Sequence, residues 1–314
     1  ELGINIPTGK DSLSMTQKYP DMTVYSPGTV IVSAAGEVTD VRKIIEPVLT
    51  VDPYTSLIYL DMSKEELKPG GSCLAQILNL IGDECPAVTD PGYFREVFNT
   101  VQELIKSDKI LSGHDISAGG MITTLLEMCF AVTTGGLSLN LTALGEKDIV
   151  KLLFSQNPGI IIQIKDEVEV AELLNEHGIS YFSIGHPVFE RKITLINHDR
   201  NYEFDIDSLR DIWFRSSYLL DRRQCGNEIA LERYKNYMNH SLNFRMNDFQ
   251  GTFKSLGITP SRRKKSGIRA AIIREKGVNG DREMAYALWL AGFDVKDVHM
   301  TDLVSGKETL DDIN

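Results

Sequence analysis

The sequence has 314 residues, more than one typical domain, so two or three compact units are expected. Its formal net charge of −11 argues against a general nucleic-acid binder and against adsorption to anionic membranes. It contains no 18-residue apolar run, signal-peptide pattern or Cys-x-x-Cys pair, so we expect a cytoplasmic protein with reduced thiols.

The first polar loop, Pro7-Thr8-Gly9-Lys10-Asp11-Ser12, matches a P-loop only in part. A Walker A motif requires Gly-x4-Gly-Lys-Ser/Thr, but Gly3 lies one position too far from Gly9 and Asp11 replaces the hydroxyl residue. Lys10 and Asp11 can still offer a cation and an anion to a phosphate and metal site. The alternative is a polar turn with a solvated lysine.

Two strands and one helix are predicted between residues 29 and 62. Residues 29–35 are apolar and rich in β-branched side chains, as in a buried strand, and residues 56–62 are predicted as another apolar strand. Asp40 is placed to cap a helix that runs to Leu49 and is limited by Pro47. The turn that follows predicts a domain boundary near residue 51.

A glycine pair then precedes a helix predicted for residues 73–81. This loop, Pro69-Gly70-Gly71-Ser72, is either an anion site or a plain helix cap. Another amphipathic helix is predicted from apolar residues at three- and four-residue steps: Phe94, Val97, Phe98, Val101, Leu104 and Ile105.

The stretch His114-Asp115-Ile116-Ser117-Ala118-Gly119-Gly120 is interpreted as a loop leading into a helix over residues 121–129. The two glycines allow close approach of a ligand to the backbone, and the N–H groups of a helix N-terminus attract anions. Asp115 offers the kind of carboxylate that Mg²⁺ shares with nucleotide phosphates, and Ser117 adds a hydroxyl. The alternative is ordinary capping and turn chemistry, with His114 a packed or solvent-facing imidazole.

An α+β unit is predicted from residue 152 to about residue 209, with strands at 159–164, 179–184 and 191–196 and a helix at 168–177. A charged helix over residues 213–237 follows. The basic cluster Arg262-Arg263-Lys264-Lys265 is interpreted as part of a solvated linker rather than a nucleic-acid contact.

The last segment has the pattern of a βαβ unit that opens a doubly wound sheet. Its strands are predicted at 268–273 and 293–299, with a helix at 281–291 between them. Because Gly-x-Gly-x-x-Gly is missing, no nicotinamide site is expected. Both ends of the chain resemble cuts through larger domains, so a fragment is expected.

Five groups of residues carry a resemblance that runs from end to end. They are Gly9-Lys10-Asp11-Ser12-Leu13-Ser14-Met15, Gly70-Gly71-Ser72 with Leu74-Ala75-Gln76, His114-Asp115-x-Ser117-x-Gly119-Gly120, Arg274-Glu275-x-Gly277-Val278-Asn279, and Ala291-Gly292-Phe293-Asp294 with Asp297-Val298-His299-Met300. In this order they resemble the family of large, single-chain phosphoribosylformylglycinamidine synthases.

The resemblance implies an α/β and α+β architecture in four parts. Residues 1–50 are similar to the end of an AIR-synthetase-like N-terminal domain, and residues 51–215 to its C-terminal partner domain. Residues 216–265 are then a helical and loop linker, and residues 266–314 begin a class I glutamine amidotransferase domain.

The resemblance also implies a ligase of purine biosynthesis that forms a C–N bond. Members convert formylglycinamide ribonucleotide, ATP and glutamine to formylglycinamidine ribonucleotide, and a fragment of one is expected to be inactive alone. The expected partners are therefore these substrates and the remaining parts of the same chain, with no nucleic acid and no membrane.

Site residues follow from the resemblance by position. Asp115 and Asp11 correspond to metal ligands for Mg²⁺, and the ATP or ADP contacts are Ser117, Gly119, Gly120 and Lys10. Family members carry Asp where this chain has Ala118, so a second carboxylate is missing there. The resemblance places the glutaminase Cys, His and Glu beyond residue 314, so no catalytic residue is assigned.

The family has two pseudo-symmetric nucleotide sites, of which one is catalytic and one holds a nucleotide structurally. The Asp115 site is accordingly either part of the synthase centre or part of a nucleotide-binding scaffold without its own turnover. A free-standing kinase-like ATPase is a third interpretation, which would require activity from these residues alone.

Overall fold

The computed structural model describes residues 2–6, 16–25, 31–239 and 251–314. The chain divides into two compact units, Glu1–His240 and Ser241–Asn314, and each is described by itself. Over the described ranges, no helix combines the length and hydrophobicity needed to cross a membrane. Near the start of the first unit, a short antiparallel hairpin pairs β1 (Thr16–Lys18) with β2 (Thr23–Tyr25).

The first unit is built on a mixed sheet of seven strands. They are β3 (Ser56–Asp61), β4 (Ile110–Asp115), β5 (Gly136–Asn140), β6 (Gly159–Ile164), β7 (Phe182–Val188), β8 (Lys192–Asn197) and β9 (Arg200–Asp205). Their order is β4-β6-β3-β7-β5-β8-β9, with β5 and β8 parallel and the other neighbours antiparallel. The strand that leads to the predicted site, β4, therefore lies at one edge.

The helices of this unit cover both faces of the sheet. They are α1 (Cys73–Ile77), α2 (Pro91–Lys106), α3 (Gly120–Phe130), α4 (Ile149–Phe154), α5 (Glu167–Glu176), α6 (Ile206–Cys225) and α7 (Asn227–Lys235). Short 3₁₀ turns occupy Thr142–Leu144 and Asn236–Asn239.

Two apolar cores lie on opposite faces of the sheet because successive side chains of a strand point in opposite directions. Leu57 and Tyr59 of β3 belong to a core shared with α3 and α4. Ile58 and Leu60, the alternate residues, belong to a second core shared with α2 and α5. Burial on both faces explains why β3 and β6 have continuous apolar sequences.

Two predictions before residue 50 are wrong where they can be compared. Residues 31–35 form no strand, while residues 29 and 30 lie outside the described residues. Residues 40–49 form turns and extended chain instead of a helix. The reason lies in the packing, since Ile45 contacts the core beside α2 and Leu49 is buried in the core beside α3. A helix could not bring both side chains to opposite faces of the sheet.

Several boundaries differ from prediction while the kind of element is confirmed. The first helix after the glycine pair ends at Ile77 rather than at residue 81, and the helix predicted over 213–237 is two helices, α6 and α7. They are separated by Gly226, whose φ of 87° interrupts the helical backbone. Five strands were not predicted, namely β1, β2, β4, β5 and β9, because none has a continuous apolar sequence.

The second unit contains the predicted βαβ arrangement. It consists of β10 (Arg269–Arg274), α8 (Asp281–Leu290) and β11 (Asp294–His299), followed by α9 (Met300–Val304). The strands β10 and β11 are parallel neighbours, as predicted. The interpretation of Arg262 as a solvated linker residue is wrong, since its guanidinium bonds Asp294 at 3.0 Å and the Phe293 carbonyl at 2.7 Å.

The domain boundaries at residues 50, 215 and 265 stay predictions. Helix α6 continues through residue 215, and the chain from there to residue 240 belongs to the first compact unit.

Candidate nucleotide and metal site

The predicted site lies at the carboxyl end of edge strand β4. His114 and Asp115 are its last residues, so the prediction that they belong to a loop is wrong. Asp115 pairs with Ile160 of β6, and the Ile116 N–H donates to the Gly159 carbonyl at 2.8 Å. The sheet therefore fixes the backbone on which the predicted metal ligand stands.

Exposed and buried side chains alternate after β4. The Asp115 side chain is 72% exposed and Ser117 is also exposed, whereas Ile116 between them is buried in the core beside α3. Ile116 thus anchors the segment, and the carboxylate and hydroxyl both face solvent. This arrangement gives a ligand access to both groups.

The two glycines are required by their backbone conformation and by close neighbours. Gly119 has a φ of 92° and Gly120 a φ of 74°, in the left-handed region. A Cβ at Gly120 would lie 2.6 Å from the Leu153 carbonyl oxygen, and one at Gly119 would lie 2.8 Å from Thr123 Cβ. Neither position accepts a side chain without moving the chain around it.

The alternative that Asp115 or Ser117 caps the following helix is wrong. Helix α3 begins at Gly120, and its N-cap residue Gly119 offers no side-chain bond. The loop uses backbone groups instead, since the Gly120 N–H donates to the Ser117 carbonyl at 3.0 Å and Thr124 Oγ1 donates to the Asp115 carbonyl at 3.0 Å. The Asp115 carboxylate and the Ser117 hydroxyl therefore make no capping bond to α3.

The imidazole of His114 is packed rather than solvent-facing, because only 16% of its side chain is exposed. Its Nε2 lies 2.9 Å from Glu127 Oε2 on α3, and its Nδ1 lies 3.4 Å from Asp115 Oδ1. A cleft of about 290 Å³ borders His114 and Asp115, and its remaining lining is apolar side chains and Gly113. Asp115 therefore stands between an apolar cleft and solvent.

The second glycine pair leads into a cap, as one of the two interpretations predicted. Ser72 Oγ accepts a hydrogen bond from the Ala75 N–H at 3.2 Å at the start of α1. Gln156, which no sequence motif singles out, links this loop to the other one. In the amide orientation that its neighbours require, its side-chain oxygen accepts from the Cys73 N–H at 2.9 Å and from the Gly119 N–H at 2.8 Å. In this orientation the Gly119 N–H is occupied by a protein group.

The predicted residues Lys10 and Asp11 lie outside the described residues. Within the described ranges, no three His, Cys, Asp or Glu side chains gather into a set that could hold a metal ion. The exposed Asp115 carboxylate, with the exposed Ser117 two residues further along the chain, still fits Mg²⁺, which binds one or two carboxylates together with water and substrate phosphates.

Two family models match this chain, one in each compact unit. Residues 58–196 match the AIR synthase related protein, C-terminal domain, and this range contains the Asp115 loop and the sheet apart from β9 and the ends of β3 and β8. Residues 267–314 match the CobB/CobQ-like glutamine amidotransferase domain. The chain thus matches an AIR-synthase-related domain and a glutamine amidotransferase domain, as the motifs indicated.

Two curated relatives align along nearly all of the chain. It is 34% identical over 99% of its length to a probable phosphoribosylformylglycinamidine synthase, chloroplastic/mitochondrial, of Arabidopsis thaliana, and 34% identical over 98% to a probable phosphoribosylformylglycinamidine synthase of Caenorhabditis elegans. The chain spans 22% of the plant protein and 24% of the nematode protein. It is therefore a homologue of the phosphoribosylformylglycinamidine synthases and corresponds to a segment of these longer proteins.

Among solved structures, T. maritima PurL complexed with ATP has a TM-score of 0.42 and 12% identity. The match covers 54% of this chain and 27% of that chain. A likeness at this level carries no argument about the site.

Proposed function

We propose that this chain is part of an ATP-dependent synthase that converts formylglycinamide ribonucleotide and glutamine to formylglycinamidine ribonucleotide, in purine biosynthesis. The observation that carries the proposal is 34% identity over 99% of the chain to a protein of that name, with both domain classes in the same chain. The reaction makes a C–N bond with glutamine as the amide donor. The activity is assigned to the complete enzyme. This segment supplies one nucleotide-binding site to it, which we call the nucleotide corner.

The nucleotide corner is formed by Asp115, Ser117, Gly119 and Gly120. Asp115 holds Mg²⁺, directly or through water, and Ser117 offers its hydroxyl to a phosphate oxygen. The glycines keep the loop small enough for ATP or ADP to approach the backbone. By the resemblance, Lys10 is assigned to phosphate and Asp11 to the metal, and both lie outside the described residues.

A second candidate function is a structural nucleotide site that supports chemistry elsewhere in the enzyme. It is favoured by the composition of the loop, because Ala118 is exposed next to Asp115 and Ser117 and supplies no second carboxylate. A site with fewer negative charges holds its metal through fewer ligands, which suits a bound nucleotide that is not turned over.

Measuring nucleotide-dependent stability tests the corner. Mg²⁺-ADP at about a hundred times its Kd should raise the free energy of unfolding by roughly 2.7 kcal/mol in the wild-type protein. The rise should require Mg²⁺ and disappear in Asp115→Ala. Asp199→Ala, which removes another exposed carboxylate from the turn between β8 and β9, is the matched control and should keep the full rise. An equal rise in both variants would remove Asp115 from the site.

Turnover of the complete enzyme separates the two candidates. If the corner is structural, Asp115→Ala lowers nucleotide content and stability more than it lowers the turnover of folded enzyme. Normal folding and nucleotide content with a collapsed kcat would instead assign the corner to the catalytic centre. An enzyme that forms no formylglycinamidine ribonucleotide from glutamine, ATP and formylglycinamide ribonucleotide would overturn the proposed activity itself.

The other proposed partners are the remaining domains of the synthase, and the proposed compartment is the cytoplasm. The name of the plant relative places that protein in chloroplasts or mitochondria. Fractionation of cells that express the complete protein tests the assignment, since recovery with organelles would contradict it.

A further inference from the structure

The segment between α4 and β6 forms the wall behind the Asp115 loop. At the end of α4, the Leu153 carbonyl and Phe154 backbone come so close to Gly120 that no Cβ fits between them. Two residues later, the side chain of Gln156 reaches the preceding glycine, Gly119. One short segment therefore contacts both glycines of the loop.

The Gln156 amide has one orientation that suits its neighbours. With the oxygen turned toward them, it accepts from Gly119 N–H at 2.8 Å and from Cys73 N–H at 2.9 Å, whereas the opposite orientation would place donors against donors. A carbonyl oxygen has two lone pairs, so it can accept both bonds at once. Two loops that are 46 positions apart in the sequence are thus held by one atom.

The bond from Gly119 to Gln156 fixes the N-cap position of α3, where the capping residue itself has no side chain. Helix α3 has Gly119 as its N-cap, and no side chain of the capping residue stabilises its first turn. Thr123 lies against the Cα of Gly119, while Gln156 accepts the hydrogen bond from its N–H. The exposed Ser117 lies two residues before this point, so its hydroxyl is placed by the same contact.

We propose that Gln156 is a positioning residue of the nucleotide corner, which holds the left-handed Gly119 turn against the Cys73 backbone and so places the Ser117 hydroxyl for phosphate. The proposal rests on the proposed function, because it requires that the corner bind a nucleotide. Gln156 itself bonds only protein groups in this arrangement and acts through the loop.

Three variants of the complete enzyme test the proposal. Gln156→Met has a side chain of similar length and volume but removes the oxygen that accepts both bonds. Gln156→Glu keeps an acceptor oxygen at that place and serves as the conservative variant. Gln163→Met is the matched control, because it removes another internal amide that ties chain segments together without touching either glycine loop.

Hydrogen exchange measured by mass spectrometry reports the two bonds without nucleotide. Gln156→Met should speed exchange in peptides that contain Cys73 and Gly119, by about tenfold or more, and Gln156→Glu should restore slow exchange in both. Unchanged exchange in Gln156→Met would show that Gln156 does not hold the Cys73 and Gly119 N–H groups. These outcomes are independent of what the corner binds.

Titration with Mg²⁺-ADP then reports the positioning. Gln156→Met should raise Kd about tenfold, whereas Gln163→Met should lower the melting temperature and leave Kd within about twofold of wild type. Faster exchange with an unchanged Kd, in an enzyme whose wild type binds Mg²⁺-ADP, would overturn the positioning role and leave the proposed function standing. A wild-type enzyme whose Asp115 corner binds no Mg²⁺-ADP would overturn the proposed function of the corner and the positioning role together, while the exchange result would still stand.

Discussion

Ser112 and Gln163 face each other on β4 and β6, and Ser112 Oγ donates a hydrogen bond to Gln163 Oε1 at 2.9 Å in the interior of the sheet. The same oxygen accepts from the Thr50 N–H at 2.9 Å, and the amide nitrogen donates to the Thr50 carbonyl and to Thr55 Oγ1 at 2.7 Å each. All four hydrogen-bonding positions of the amide are therefore used. One polar side chain ties the chain before β3 to two strands of the sheet.

Replacing this amide should cost much of the stability of the first unit. Gln163→Met leaves several buried groups without partners, each at about 1–3 kcal/mol, so we expect a loss of roughly 2–4 kcal/mol. Urea unfolding of the protein measures it. Gln76→Met removes one bond from an exposed amide and should cost less than about 1 kcal/mol. Equal losses in the two variants would show that the interior bonds are not responsible.

Gly120→Ala should be far more destabilising than Gly145→Ala. Both glycines have similar left-handed backbones, with φ of 74° and 79°, so both changes carry a strain of about 1–2 kcal/mol. A Cβ at Gly145 meets nothing within 4 Å, whereas one at Gly120 meets backbone atoms that cannot rotate away. Overpacking adds about 1–3 kcal/mol at Gly120 alone. Thermal unfolding of both variants gives the difference, and a difference near zero would contradict the close approach.

The contact between His177 and Glu96 should make stability depend on pH. His177 Nδ1 lies 2.7 Å from Glu96 Oε1, and this bond, with the charges of Glu96, Glu103 and Glu176, raises the pKa of the imidazole above its usual 6.5. Because the folded pKa is the higher one, the stabilisation is fully present below about pH 6.5 and is lost as the pH rises through the folded pKa.

Comparison of wild type with His177→Gln tests this linkage. The difference in unfolding free energy should be larger at pH 5.5 than at pH 8.5, and Glu96→Gln should remove most of that dependence. A difference that stays constant with pH would show that the imidazolium form is not favoured in the folded protein.

The cysteines should differ sharply in reactivity. Burial raises the pKa of the Cys129 thiol to about 12, so almost no thiolate is present near pH 8. Cys85 is exposed. Iodoacetamide at pH 8 should therefore modify Cys85 within minutes and leave Cys129 unmodified until the protein unfolds, as read by peptide mass spectrometry. Early modification of Cys129 would show that α3 opens readily.

The elements that could be predicted from the sequence are those whose own apolar pattern matches their burial. Helix α2 presents Val97, Val101 and Leu104 to one core, and the βαβ unit has its predicted parallel pair. The segment around Ile45 and Leu49 could not be predicted, because its three- and four-residue spacing imitates a helix while its side chains enter opposite cores. The conformation of this segment is set by the sheet that separates the two cores.

The candidate site was predictable in part for a similar reason. Asp115, Ser117 and the glycines are adjacent in sequence, so their chemistry could be considered together. Between Gly119 and Gln156 lie helix α3, strand β5, a 3₁₀ turn and helix α4, and the two residues meet only because β6 pairs with β4. The sequence around Gln156 contains no motif that distinguishes this glutamine from the others in the chain.

The order of strands also determines when this domain can fold during its synthesis. Tyr59 of the inner strand β3 pairs with Ile161, 102 positions further along, and its other neighbour comes later still, since Tyr59 pairs with Phe182 on that side. At a ribosomal rate of about 5–20 residues per second, the apolar β3 strand waits on the order of 5–20 seconds for its first partner. Such long-range pairing forms slowly and leaves apolar side chains exposed to solvent. We therefore expect chaperones to bind the nascent chain of this domain until β7 has emerged.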